Sequence, residues 1–544
     1  MARSPRWARA GLALSGPLIG IFAMATDASA VNLALPGIQE DLDASTAGLQ
    51  WVVGAYMAAV AASVVAVSRS GDILGRRRVF AYGLLAFGAG SLACGLAPDV
   101  PVLIASRVVQ GIGGGAVYSL SLAVITSSRP PSELSRGVAA WSIAAGLAMS
   151  VAPLLGGGLV SAFDWRAVFL VNVPVVVAAL ILTYALLPES RDEEASRHVD
   201  LGGALTLTAG LAMLMIGIIQ AGAWGWSSPA VLGLIAAAVG TLGAFVAVEL
   251  RSGDPLIDLR LFFGNLRFVA ANALAVPAYG AIYAVLFLAP LFLQNVQGLS
   301  AAEAGVRLLP FPLLFFLLSR PVGRMVGRTG ALAPMVIGSG LMIAAVLILS
   351  FAGAGSGELL LGTSFALLGA GQAFALIGIS SAALASVPAG KAGAASGIRS
   401  TASFAGGALW VALAGAILTV LGRSSLSDST AELGRRLTTG EMRDADGLLS
   451  GSDAAEAAVA RLSPLDADAV RAAAADAFVH GMAWALRLCA VALAVVTVLV
   501  VALYRRAEGE EAVAAPPPEH SPLHPHPPAW ATLRRRHAAT EESA

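Results

Sequence analysis

The chain has 544 residues, 57% of them hydrophobic and only 12% charged, and its 34 basic and 34 acidic side chains cancel to zero net charge. Soluble domains carry about 25% charged residues, so a water-soluble fold is excluded, and the neutral balance excludes the basic field of a nucleic-acid binder. Both cysteines, Cys94 and Cys489, lie inside apolar runs, which argues against a disulfide or a cysteine metal site.

A bilayer core of about 30 Å needs roughly 20 apolar residues per helix. Such segments fall near 11–36, 48–68, 79–97, 101–127, 137–161, 166–187, 199–221, 228–250, 267–294, 301–319, 331–353, 356–386, 393–421 and 479–504. They predict an all-α polytopic membrane protein with fourteen spans. Arg3, Arg6 and Arg9 before an apolar run, then Ala28-Ser29-Ala30, also have the outline of a cleavable signal. The length of that run, and Asp27 just before the tripeptide, favour a retained first helix, which Pro36 is expected to end.

Arginines orient the spans, because basic residues concentrate in cytoplasmic loops. Arg76, Arg77 and Arg78 follow the second span, Arg129 and Arg136 the fourth, and Arg191 and Arg197 the sixth. Arg251, Arg260 and Arg267 follow the eighth, Arg324 and Arg328 the tenth, and Lys391 the twelfth. Loops after odd spans are acidic or bare, with Glu40, Asp41, Asp43, Asp99, Asp164 beside Arg166, and Glu358. Both termini are therefore expected in the cytoplasm. Residues 422–478 read as a long Asp- and Ala-rich outer loop, partly helical near 465–478, and the Pro/His-rich tail after Arg506 as disordered.

Charged groups inside a bilayer cost several kcal/mol and call for an explanation. Asp27 lies two-thirds of the way along the first span, followed by Ser29 and Asn32. A carboxyl group withdrawn from water holds a proton more readily, so Asp27 is a candidate proton carrier; the other reading is an ion pair that locks helix packing. Arg107, just before Gln110 and Gly111, needs a carboxylate, carbonyls or cavity water as partner. In the turn after the second span, Asp72, Gly75 and Arg76 suggest a latch in which Asp72 pairs with Arg76 or caps a helix. Arg77 and Arg78 serve as inside-positive anchors. Other polar residues in the spans are Gln294, Gln372 and Arg399, with Arg487 and His480 near the last span. His520, His524 and His526 sit among prolines and read as unstructured chain rather than metal ligands.

These motifs in this order resemble the fourteen-helix drug/proton antiporter branch of the major facilitator superfamily, the multidrug efflux transporters. The resemblance rests on Asp27-x-Ser29-x-x-Asn32-x-Ala-Leu-Pro36, Gly71-Asp72-x-x-Gly75-Arg76-Arg77-Arg78, Arg107-x-x-Gln110-Gly111 and Pro153-x-x-Gly156-Gly157. Trp165-Arg166, Asn172-Val-Pro174, Gln294, Gly298, Gly305, Pro310 and Gly393-x-Ala395-x-Gly397 extend it to roughly residues 15–420 plus the last span.

The resemblance implies a major facilitator fold: a six-helix bundle at 1–187, a linker with two inserted helices at 188–265, a second bundle at 266–506, and a tail at 507–544. It implies proton coupling by Asp27 and Arg107, a latch at Asp72, Gly75 and Arg76, and a bendable seam at Pro153, Gly156 and Gly157. A mid-membrane cavity would lie between the bundles, with Ser29, Asn32, Gln110, Gln294, Gln372 and Arg399 as candidate lining residues. Departures from the pattern are Ser68 for the first glycine of the turn, Ser70 for an apolar residue, Ser119 for a proline, and Ser142, Ala148 and Ala152 for glycines of the fifth span. That seam is thus bulkier than the pattern. The second copy of the turn, Gly323-Arg324-Met-Val-Gly327-Arg328, lacks the aspartate.

The expected function is proton-coupled export of small, mostly apolar molecules across the cytoplasmic membrane by alternating access. A facilitator or proton symporter that imports a small nutrient is the alternative on the same fold. No Asp/His or Cys cluster at one membrane face suggests an embedded enzyme, and a transport-dead sensor would bind without flux. Expected partners are a small-molecule substrate, protons and the bilayer, with no nucleic acid, cofactor or metal and nothing that requires more than a monomer.

Overall fold

The computed structural model describes residues 14–127, 134–191, 200–253, 255, 257–388, 391–432 and 464–514. These form α1 Ser15–Leu42, α2 Thr46–Leu74, α3 Arg76–Gly95, α4 Val100–Ser127, α5 Leu134–Ala162, and α6 in two pieces, Arg166–Leu170 and Asn172–Leu186. They continue with α7 Leu201–Trp224, α8 Pro229–Arg251, α9 Leu266–Leu291 ending in a π-turn Phe292–Val296, and α10 in two pieces, Ala301–Leu308 and Pro310–Thr329. The last four are α11 Leu332–Leu349, α12 Glu358–Ala385, α13 Ala392–Glu432 and α14 Pro464–Ala514. All fourteen are long and apolar enough to cross a membrane, where a helix satisfies its own backbone groups without water. Residues up to Tyr504 form one compact unit, and a second begins at Arg505, of which the helical stretch to Ala514 is described.

Helix ends follow local chemistry. Pro36 does not stop α1, as expected from sequence, but lies within it; the helix ends at Asp43, which takes a left-handed φ of 47°. Aspartate tolerates that conformation better than most residues, and Gln39 stabilises the turn by donating from Nε2 to the Ala44 carbonyl at 3.1 Å. Ser45 caps α2 by accepting from the Gly48 N–H, and Ser300 and Glu303 form a reciprocal capping box at the start of α10.

The loop expected at 422–478 is shorter, because α13 runs on to Glu432 and α14 starts at Pro464. Alanine-rich sequence with charged residues at helical spacing favours helix even outside lipid, and Asp468 pairs with Arg471 at 3.3 Å on that extension. Residues 433–463 lie outside the described residues. The tail expected to be unstructured from 507 is helical to Ala514; its Pro/His-rich remainder lies outside the described residues.

The packing repeats itself. α1 packs on α5 and α6, α2 on α4, and α3 on α4; correspondingly α9 packs on α13, α10 on α12, and α11 on α12. Two crossings join these sets, α2 against α13 and α5 against α10, with α1 also touching α9. α7 and α8 pack on each other, and α7 packs on both α2 and α13. The last contact is partly polar: Arg423 of α13 donates from Nη1 to the Gly222 carbonyl of α7 at 2.8 Å.

Candidate functional site

Four helices converge on Asp27. The carboxylate is 1% exposed, and its Oδ2 lies 2.7 Å from Nη1 of Arg107, itself 2% exposed. Oδ1 accepts from Nε2 of Gln110 at 2.9 Å and from Nδ2 of Asn172 at 2.9 Å. Arg107 also donates from Nε to the Val52 carbonyl at 3.0 Å and from Nη1 to Oε1 of Gln110 at 2.6 Å. Its guanidinium carbon lies 4.1 Å from the centroid of the Tyr56 ring and 5.6 Å from that of Phe169. Ser91 ties the far side: it accepts from Gln110 at 3.2 Å and Asn172 at 3.1 Å, and donates to the Phe169 carbonyl at 2.8 Å.

Small residues allow this closeness. A Cβ on Gly111 of α4 would come 2.5 Å from the Tyr56 carbonyl of α2, so glycine at that position lets Arg107 reach the α2 backbone. Breaking one partner of such a buried pair costs about 3–5 kcal/mol. The chemical consequence is specific. A proton arriving on Oδ1, which already accepts two bonds, displaces a donor, so protonation there and rearrangement of α1, α4 and α6 are linked.

The turn between α2 and α3 is a second polar cluster. Oδ1 of Asp72 accepts from both Nε and Nη2 of Arg76 at 2.8 Å, so Asp72 pairs with Arg76 rather than capping a helix. Gly75 adopts a φ of 115°, and a Cβ there would also meet Oε1 of Glu189 at 2.7 Å. Glu189, just past α6, accepts from the Arg77 N–H at 3.0 Å and lies 3.8 Å from Nε of Arg77 and 3.7 Å from Nε of Arg78. The Arg76 N–H donates to the Ser190 carbonyl at 2.9 Å. Glu189 escaped the sequence reading because its partners are more than a hundred positions away; its one signal was an acid directly after Pro188 at the end of a span.

Pro153, Gly156 and Gly157 lie on the face of α5 that meets two helices at once. A Cβ on Gly156 would come 2.9 Å from the Ala30 backbone of α1, and one on Gly157 would collide with the Ala301 carbonyl of α10. Gly305 of α10 packs on the Pro153 carbonyl in the same way. Ser161 adds a bond across this crossing by accepting from the Ala302 N–H at 3.0 Å. Among the departures, Ala148 and Ala152 are fully buried, whereas Ser142 is exposed and Ser119 donates to its own helix at the Gly115 carbonyl.

Of the candidate lining residues, only Gln110 joins the Asp27 network. Asn32 donates back to the Ala28 and Ser29 carbonyls of its own helix at 3.2 Å, with its Oδ1 left unpartnered. Gln294, in the π-turn, donates to the Leu33 carbonyl of α1 at 3.2 Å. Gln372 is buried in α12 with Oε1 unpartnered. Arg399 of α13 donates from Nη2 to the hydroxyl of Tyr118 in α4 at 3.2 Å. Arg487 stacks between Trp484 and the exposed Phe351 ring at 5.4 and 5.6 Å, and His480 is exposed. No group of His, Cys, Asp and Glu that would hold a metal occurs among the described residues.

Fourteen spanning helices with mirrored packing, enclosing a buried carboxylate–guanidinium pair, define a polytopic membrane protein of the transporter type. The chain belongs to the Major Facilitator Superfamily, whose family model matches residues 18–411. It is 36% identical over 401 residues to "Multidrug resistance protein Stp" of Mycobacterium tuberculosis, covering 74% of each chain. It is 34% identical over 400 residues to "Tetracenomycin C resistance and export protein" of Streptomyces glaucescens, again covering 74% of each. A solved bacterial homologue of the human lysosomal transporter Spinster superposes with a TM-score of 0.65 at 15% identity, covering 93% of this chain and 99% of that one. That likeness concerns the fold alone.

Proposed function

We propose that the chain is a proton-coupled antiporter that exports small, mostly apolar molecules, such as drugs, antibiotics or related metabolites, across the cytoplasmic membrane. The relatives named for multidrug resistance and for tetracenomycin C export support the direction and substrate class. The alternation of basic and acidic loops supports a plasma-membrane orientation with both termini inside. The observation that carries the coupling is the buried Asp27 carboxylate, held by Arg107, Gln110 and Asn172.

In this reading residues 1–187 and 266–506 are two bundles, 188–265 carries the inserted pair, and the bundles rock about the α2–α13 and α5–α10 crossings. A proton on Asp27 releases Arg107 or an amide donor. The two protonation states then favour different openings, as coupling requires. The turn at Asp72, Gly75 and Arg76 latches the cytoplasmic ends, and the seam at Pro153, Gly156 and Gly157 closes the outer ends. One proton crossing about 100 mV gains about 2.3 kcal/mol. At about 1.4 kcal/mol per decade, that sustains a roughly fortyfold gradient of a neutral substrate.

The test is flux into inside-out vesicles under an imposed pH gradient, with intact chain and Asp27→Asn. Gradient-driven accumulation by the intact chain and none by the variant, at equal membrane levels, is expected. Full transport by the variant removes Asp27 from the mechanism, and movement in the opposite direction under the same gradient identifies an importer.

A further inference from the structure

Arg399 is 8% exposed, yet its polar partners are neutral hydroxyls, those of Tyr118 and Ser400 at 3.2 Å each and that of Tyr279 beside them. Its Nη1 has no partner, and it forms no ion pair among the described residues. Arg107 shows what this protein supplies when it neutralises a buried guanidinium from within: a carboxylate at 2.7 Å, a carbonyl and an aromatic face. Arg399 lacks the carboxylate. Guanidinium stays charged, and a buried cation without a counter-charge is costly.

The surroundings of Arg399 are aromatic and belong to both halves of the packing. The Tyr118 ring of α4 lies edge-on to Phe404 of α13 at 5.3 Å and to Trp141 of α5 at 5.9 Å. Tyr279 and Tyr283 of α9 lie 6.4 Å apart, and Tyr279 stands within electrostatic reach of Arg399. Thr401, two residues on, donates to the Ala61 carbonyl of α2 at 3.3 Å. At about 1.5 Å per residue, Arg399 sits roughly 10 Å from the start of α13, and Tyr118 roughly 13 Å from the end of α4. The group thus lies within the spans, at the α2–α13 crossing.

We propose that Arg399 and Tyr118 form an anion-binding subsite, so that the exported molecules include aromatic compounds bearing one acidic group, a carboxylate or an acidic phenol. The free Nη1 and the Tyr118 O–H donate to the anion, and the rings of Trp141, Phe404 and Tyr279 take its apolar body. The proposal rests on the exporter reading and narrows its substrate class. A monoanion leaving as one proton enters moves two charges, so its export responds more steeply to membrane potential than that of a neutral compound.

The test uses the full chain, purified and reconstituted, with anthracene-9-carboxylate, its methyl ester and inorganic phosphate as probes. Tryptophan quenching reports binding, and thermal unfolding reports stability. The wild type is expected to bind the acid at least about tenfold more tightly than the ester. Arg399→Gln removes that preference and leaves ester binding within about twofold, while Arg399→Lys keeps part of it. The acid raises the melting temperature of the wild type but not of Arg399→Gln, and Arg399→Gln alone melts no lower than wild type.

Equal affinity for acid and ester, or no binding of the acid at millimolar concentration, overturns the proposal. So does an Arg399→Gln protein that melts lower and loses both ligands alike, which marks a brace. Phosphate competing as well as the aromatic acid reduces the site to an unspecific anion pocket and overturns the substrate assignment. Gradient-driven movement of the ester by wild type, lost in Asp27→Asn, tests the exporter reading separately. If that movement is absent, the exporter reading fails whatever Arg399 binds; if it is present and Arg399→Gln still prefers the acid, only the anion assignment fails.

Discussion

Arg107 reaches Asp27 from a different helix, Nη1 to Oδ2 at 2.7 Å, and neither side chain has access to solvent. Removing either member alone leaves a buried charge, at a cost of about 3–5 kcal/mol. Arg107→Gln and Asp27→Asn are each expected to lower stability by that order, and the double variant to recover most of it. Denaturant unfolding in detergent measures the cycle. Strictly additive losses would show that the two groups do not act as a pair.

Gly157 meets the Ala301 carbonyl, whereas nothing lies within 4 Å of a Cβ placed on its neighbour Gly158. Gly157→Ala is therefore expected to slow transport by about tenfold or more, because backbone atoms of α10 cannot give way as a flexible side chain does. Gly158→Ala is the matched control and leaves the rate unchanged. Equal effects of the two substitutions in a vesicle flux assay would remove the seam from the transport cycle.

Gly75 combines a φ of 115° with the proximity of Glu189. Gly75→Ala is expected to destabilise by about 1–3 kcal/mol. Arg76→Ala, which removes a pair 20% and 26% exposed, costs no more than about 1 kcal/mol. Unfolding midpoints of the two variants decide the order; a reversed order would mean that the charge pair, not the backbone turn, holds this end together.

Asn172 donates to both Asp27 and Ser91. Asn172→Ala leaves a buried acceptor short of a donor, at about 1–3 kcal/mol. Asn172→Asp places a second carboxylate against the first and is expected to suppress flux more strongly than the alanine variant. Comparison of initial rates at matched expression checks this, and equal rates would show that the amide only fills space.

The fourteen spans and the exceptional standing of Asp27 and Arg107 were legible because hydropathy and an unexplained charge in lipid are local signals; that the two pair with each other, 80 positions apart, was not. The rest depends on distant partners. Asn172 meets Asp27 across 145 positions and Arg399 meets Tyr118 across 281, separations that no spacing rule covers. The break of α6 at Val171, just before Pro174, and the π-turn at Phe292–Val296, just after Pro290, went unread although a proline stands beside each. Pro36 was misread as a stop because proline ends helices in water, where the alternative to a helical bond is a bond to solvent; in a packed membrane bundle that alternative is missing.

Helix α7 touches α2 and α13 together, with Arg423 fastened to the Gly222 carbonyl, while the α5–α10 flank has no corresponding strap among the described residues. A swing that parts α2 from α13 has to peel α7 off one of them. In a cycle that rocks the two bundles apart, the α2–α13 side would therefore carry the drag of a third helix.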